Sequence, residues 1–173
     1  MFRLRSALVL LGGLALLASA CSSNDTRVLN LGKTEQAIRG LAVRAYGTEA
    51  EVGGVKCPKR VALQRGLMFT CTVAIDGQPL LISVRQKDDK GNVRINQVQA
   101  VVFTKKVEAF VASFAGRDGS PTTSVSCGEH TVATRSPGER FSCTVEFADG
   151  TSGVARLQVK NTGGLVGVRL THT

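Results

Sequence analysis

Residues 55–77 read VKCPKRVALQRGLMFTCTVAIDG, and residues 125–150 read VSCGEHTVATRSPGERFSCTVEFADG. Both stretches contain Val-x-Cys, then Gly-x-x-Phe-x-Cys-Thr-Val or its near copy, then Asp-Gly. Gly66, Phe69 and Cys71 correspond to Gly138, Phe141 and Cys143, and Asp76-Gly77 corresponds to Asp149-Gly150. Thirteen residues separate Cys57 from Cys71 and fifteen separate Cys127 from Cys143, a difference that a loop absorbs. A duplicated unit is the economical account of such self-similarity.

Around these stretches the apolar period is 2. Phe69, Cys71, Val73 and Ile75 alternate with polar neighbours, as do Phe141, Cys143, Val145 and Phe147. This is the pattern of a half-buried strand. Asp-Gly then signals a tight hairpin. Leu80, Ile82 and Val84 follow, matched by Ala155, Leu157 and Val159. Gly91 and Gly164 turn the chain into Val93 and Ile95, or into Val166, Val168 and Leu170.

Upstream of each cysteine pair the period is 3.6. Ile38, Leu41, Ala42, Ala45 and Tyr46 form one helical stripe, and Val107, Phe110, Val111 and Phe114 form another. Thr34 and Thr104 are the expected N-caps, with Gly47 and Gly116 as stops. The fold class expected is α+β: two tandem small domains, each a helix packed on a three- to four-stranded antiparallel sheet with one disulfide.

The first twenty residues have another character. Met1 to Arg5 is a short cationic start, Ser6 to Leu17 is apolar, and Ala18-Ser19-Ala20 is small. This is the order of a secretory signal peptide, and the apolar run is too short to cross about 30 Å of hydrocarbon. Leu17-Ala18-Ser19-Ala20-Cys21 resembles the lipobox at which bacteria attach a diacylglyceryl group to the cysteine before cleavage, with Ala18 where Leu is commonest. The expected organisation is therefore a leader at 1–20, a linker at 21–31 after lipidated Cys21, a first domain at 32–101 and a second at 102–173.

Five cysteines in an oxidising compartment leave one unpaired. Lipidation of Cys21, with acyl chains such as palmitate, removes the odd one. The remaining four allow three connectivities. The duplication selects Cys57–Cys71 and Cys127–Cys143, because each ancestral unit had to fold alone. Closing a loop of about 15 residues contributes roughly 3 kcal/mol in the chain-entropy treatment, a large share for a unit of this size. On that reading each domain folds separately and loss of one bridge stays local.

Val55-Lys56-Cys57-Pro58, Gly66-x-x-Phe69-x-Cys71-Thr72-Val73 and Asp76-Gly77 together resemble the domain of unknown function 4333 family, found in small exported proteins and lipoproteins of actinobacteria. The second unit departs in having Gly128 where the pattern has Pro. The resemblance implies an intramolecular disulfide and an envelope location. It brings no activity with it.

Catalytic material is sparse. The two histidines are His130 and His172. Cys127-x-x-His130 is conceivable as a metal pair, but the corresponding residue of the first unit is Arg60 and the disulfide consumes Cys127. No Gly-x-Ser-x-Gly elbow occurs. Asp88-Asp89 lies between Lys87 and Lys90 and reads as a solvated turn. No catalytic residue, metal site or cofactor is expected, and the chain is read as no enzyme.

Removing Arg3 and Arg5 with the leader leaves 20 basic against 13 acidic residues, a net charge of +7. This suits anionic lipid headgroups or phosphate-bearing wall polymers. Nucleic acid is not an expected partner, since the chain has one Tyr, no Trp and no stacking motif. Lys56, Lys59, Arg60 and Arg65 form the densest basic cluster and are the candidate anionic-ligand site. The expected function is a surface-anchored, non-catalytic lipoprotein on the outer face of the cell membrane, binding an envelope ligand. The alternatives are a structural lipoprotein with envelope protein partners, and an envelope enzyme.

Overall fold

A computed structural model describes residues 27–172. The leader and Cys21 lie outside the described residues. The architecture is mixed α+β, with two helices and ten strands in antiparallel sheets among the described residues.

The first unit comprises α1 (Leu31–Tyr46), β1 (Val52–Lys56), β2 (Met68–Ile75), β3 (Gln78–Gln86) and β4 (Val93–Gln97), with strands in the order β1-β2-β3-β4. A short strand β5 (Ala100–Phe103) leads into α2 (Thr104–Arg117). Then come β6 (Thr122–Ser126), β7 (Val132–Arg135), β8 (Arg140–Phe147), β9 (Ser152–Val159) and β10 (Val166–His172). The second four-stranded sheet runs β6-β8-β9-β10, the same order as the first once β7 is set aside.

The alternation read from sequence is the alternation observed. Cys71, Val73 and Ile75 are buried along β2, and Cys143, Val145 and Phe147 along β8. Asp76 and Gly77 both have positive φ, 46° and 77°, as a two-residue type I′ hairpin requires. Asp149-Gly150 serves a longer hairpin, in which Phe147 N–H bonds the Thr151 carbonyl at 2.9 Å. Register explains the cysteines. Lys56 lies opposite Thr72 and Ser126 opposite Thr144, so the next residue of each edge strand faces Cys71 or Cys143. The bridges Cys57–Cys71 and Cys127–Cys143 join Cα atoms 4.3 and 4.1 Å apart.

The helix starts differ from expectation. Asn30, not Thr34, is the N-cap of α1, its side chain accepting from Lys33 N–H at 3.2 Å. Thr34 is buried in the first turn. Thr104 is the first residue of α2 rather than its cap. Phe103 stands at the cap position without a side-chain bond, and Thr104 N–H reaches the Thr131 carbonyl at 3.0 Å instead. A loop carbonyl thus satisfies one of the N–H groups that the first turn of a helix leaves without an intrahelical partner. Gly47 ends α1 as read, whereas α2 passes Gly116 to end at Arg117. Of the predicted stripes, Ile38, Ala42, Val107 and Val111 are buried, but Leu41 and Phe110 are exposed.

The expected independence of the units meets a further difference. β5 pairs with β7 in a two-stranded ribbon, Val101 opposite Thr134 and Phe103 opposite Val132. Alternate residues of β5 face different cores. Ala100 and Val102 pack with Val107, Val145 and Leu157 of the second unit. Val101 belongs with Ile38, Val73 and Leu80 of the first, as does Val132 from β7. The boundary drawn between residues 101 and 102 therefore falls inside a shared strand. Polar contacts reinforce the join: Thr131 Oγ1 donates to Asp76 Oδ2 at 3.0 Å, and Thr134 Oγ1 to the Pro79 carbonyl at 2.9 Å.

The same ribbon exists at the start of the first unit, where a linker was expected. Leu29 N–H bonds the Val61 carbonyl at 2.9 Å, Leu63 N–H bonds the Arg27 carbonyl at 2.7 Å, and Val28 bridges Ala62. Residues 27–30 precede α1 as β5 precedes α2. The second core is closed by different means. Gly153 lies opposite Val145, where the first unit has Leu80 opposite Val73. A Cβ at Gly153 would stand 2.9 Å from the Phe147 ring, so Phe147 occupies the volume that Leu80 and its covering ribbon fill in the first unit.

Candidate functional site

The four residues of the predicted basic cluster are exposed, and none takes part in the ion pairs found among the described residues. Their arrangement is looser than their spacing in sequence. Lys56 closes the edge strand β1, while Lys59 and Arg60 occupy the turn after Cys57. Arg65 is at the other end of β2, just before Met68, which lies four residues along the strand from Thr72. At about 3.4 Å per residue that separates the two levels by about 14 Å. Arg65 also has an acidic neighbour, because Asp89 Oδ1 accepts its backbone N–H at 2.9 Å. Three of the cations share one rim and the fourth does not.

Asp88 is a turn residue, as read. Its carboxylate accepts from Lys90 N–H, Asn92 N–H and Asn92 Nδ2 at 2.7 to 3.1 Å. The Asn92 amide is the main cause holding its pKa below the ordinary value. His130 is exposed, and its carbonyl accepts from Thr104 Oγ1. No group of three or more metal-ligating side chains occurs among the described residues. His172 closes β10.

Each disulfide is held from the helix side in the same way. Glu35 Oε1 accepts the Cys57 N–H at 3.1 Å, and Glu108 Oε1 accepts the Cys127 N–H at 3.1 Å. Burial works against the Glu108 carboxylate, but Lys105 and the Cys127 N–H outweigh it and lower its pKa.

Between the units runs an apolar groove of about 360 Å³, lined by Tyr46, Phe103, Phe110 and Leu165 among others. Its one charged lining residue, Lys106, pairs with Glu49 at 2.6 Å and lies over the Phe103 ring. Tyr46 Oη donates to Gln97 Oε1 at 2.6 Å, and Gln97 Nε2 donates to the Thr162 carbonyl of the second unit at 2.9 Å. The sequence pattern missed this groove, since it needs both units to form.

The Gly66-x-x-Phe69-x-Cys71-Thr72-Val73 strand, bridged to Cys57 and turned at Asp76-Gly77, is now placed in three dimensions. Residues 14–91 match the family model described as Domain of unknown function (DUF4333). The DUF4333 match covers less than half of the chain. It takes in α1 to β3 with the first disulfide and stops before β4. No curated protein and no solved structure matches the chain. No helix among the described residues is long and apolar enough to cross a membrane.

Proposed function

We propose that the chain is a surface-anchored, non-catalytic lipoprotein whose two units form a binding module of the cell envelope. One observation carries the reading. The two bridges use four of the five cysteines, and the fifth, Cys21, stands directly after a signal-like leader. Disulfides persist in oxidising, extracytoplasmic compartments. The DUF4333 match begins at residue 14, inside the apolar leader, and runs through Cys21.

We infer that the second unit is a second copy of the same family. The common strand order, the repeated Glu-to-Cys clamp and the shared ribbon geometry support this. The ligand class is anionic, a headgroup or a wall polymer, with Lys56, Lys59 and Arg60 on one rim of the first unit. Arg65 contributes less because of Asp89.

Fractionation tests the anchoring. The wild-type protein should sediment with membranes and the Cys21→Ser protein should not. Equal release of both would overturn the anchor. Cross-linking in intact cells would then separate the readings of its role: capture on wall polymer supports a binding module, and one specific protein partner supports a scaffold instead.

A further inference from the structure

The outward face of the second sheet gathers charge that the linear sequence disperses. Arg140 lies opposite Gln158 on β9, which lies opposite Gly167 on β10. In the next row Ser142, Arg156 and Arg169 stand side by side, with Arg156 directly opposite Arg169. Both arginines, Arg140 and Lys160 are exposed and surround a hollow of about 430 Å³.

Lys160 reaches into this hollow for a structural reason. Its Nζ donates to Gln158 Oε1 at 2.7 Å, and Gln158 Nε2 donates in turn to the Gly138 carbonyl at 3.3 Å. The lysine stem lies over Gly167, where an added Cβ would come within 2.7 Å of Lys160 Cε. Like charges directly opposite each other on neighbouring strands destabilise a sheet. None of the ion pairs among the described residues relieves this one, and Glu139 beside Arg140 is taken by Arg135 at 2.6 Å. Folding does not require this face; an anion would.

The first sheet supplies a contrast. Arg85 lies opposite Arg94 there, but Met68 completes the row.

We propose that the outward face of β8, β9 and β10 binds the phosphate groups of a polyanionic chain, with Arg140, Arg156, Lys160 and Arg169 as its cationic contacts. Arginine forks suit phosphate oxygens bidentately, and Lys160 adds a point charge at the centre. A polymer fits better than a bilayer. Membrane-surface sites combine cations with large apolar side chains that enter the headgroup region. The neighbouring outward residues here are Ser142, Thr144, Val154 and Thr171. The inference rests on the binding-module reading for its envelope setting alone.

The test uses the chain from Ser22 onward, which contains every described element, with long-chain inorganic polyphosphate as probe. Binding is measured by calorimetry from 0.05 to 0.5 M salt. Affinity should fall steeply with salt, as release of counterions by several phosphate contacts demands. Arg156→Gln/Arg169→Gln should weaken binding about tenfold or more, the equivalent of one charge-assisted hydrogen bond. The same variant should melt at a higher temperature, because the like-charge pair is gone. Gly167→Val should displace Lys160 and weaken binding by a smaller factor. Arg85→Gln/Arg94→Gln, which removes equal charge and the like-charge pair of the first sheet, should bind as the parent does.

Equal weakening by both double variants would overturn the site, since net charge alone would then explain binding. Retention on phosphatidylglycerol vesicles without polyphosphate binding would also overturn it, in favour of a membrane contact. Because the probe chain lacks Cys21, failure here leaves lipid anchoring standing, and absence of a lipid leaves this result standing.

Discussion

Val28 and Val101 occupy the same place in their respective units, yet Val28 is 50% exposed and Val101 only 6%. Each sits three residues before the first residue of its helix, paired to the segment that follows the first cysteine of its unit. No described element lies over Val28, whereas the first core closes over Val101. The equivalence turns the junction between units into a measurable quantity. Val101→Ala removes two buried methyl groups and should cost about 1–3 kcal/mol in denaturant unfolding. Val28→Ala should stay within about 0.5 kcal/mol. Equal effects at the two positions would contradict the shared strand.

The junction also makes the disulfides unequal. Each bridge should be worth about 2–5 kcal/mol. With Cys57→Ser/Cys71→Ser, residues from about 100 onward should survive limited proteolysis, because the second core draws on residues from Ala100 onward. With Cys127→Ser/Cys143→Ser, the first unit should also lose protection, since Val101, Phe103 and Val132 leave its core. Clean local loss in both variants would show two independent domains. Non-reduced peptide mapping should find Cys57 linked to Cys71 alone.

Glu108 gives the second unit an acid sensitivity. Its pKa lies below the ordinary 4.5: burial opposes the charged form, and the Lys105 ammonium and Cys127 N–H overcome burial. A depressed carboxylate contributes stability above its unfolded value and loses it as pH falls through the folded one. Glu108→Gln should therefore cost about 1 kcal/mol at pH 7, with the gap to the parent protein closing below pH 4. A gap that persists unchanged at pH 3 would place the effect elsewhere.

Tyr46 is the one tyrosine of the chain, so tyrosinate absorbance reports it alone. Burial in the groove raises its pKa above 10.0, against the opposing hydrogen bond to Gln97. The fold favours the neutral phenol, so stability is full below pH 10 and falls as pH rises toward the folded value. The absorbance midpoint in the native protein should exceed 10.0 and return to it in denaturant.

The repeating parts of this fold were legible in the sequence. Period-2 runs such as Phe69–Ile75 and Phe141–Phe147, the Asp-Gly turns and the cysteine pairing are local patterns, each stated by adjacent residues. What pairs across distance was not. Val101 and Val132 read as ordinary apolar residues, and only the ribbon between two cores shows that they cover another unit. Asn30 was hidden because Thr34 offered a better-known cap four residues later. The cluster Lys56, Lys59, Arg60 and Arg65 looked dense because spacing in sequence stood in for spacing in space. Arg140, Arg156, Lys160 and Arg169 looked dispersed for the same reason, since three strands bring them together.

The lipid anchor is tested most directly by mass spectrometry of the protein extracted from membranes. An N-terminal peptide that begins at Cys21 and carries a thioether-linked diacylglyceryl group is the expected result. The remaining four cysteines should be mass-labelled only after reduction. A mature protein that starts at Cys21 with a free thiol, or one found only in the medium without acyl chains, would contradict it.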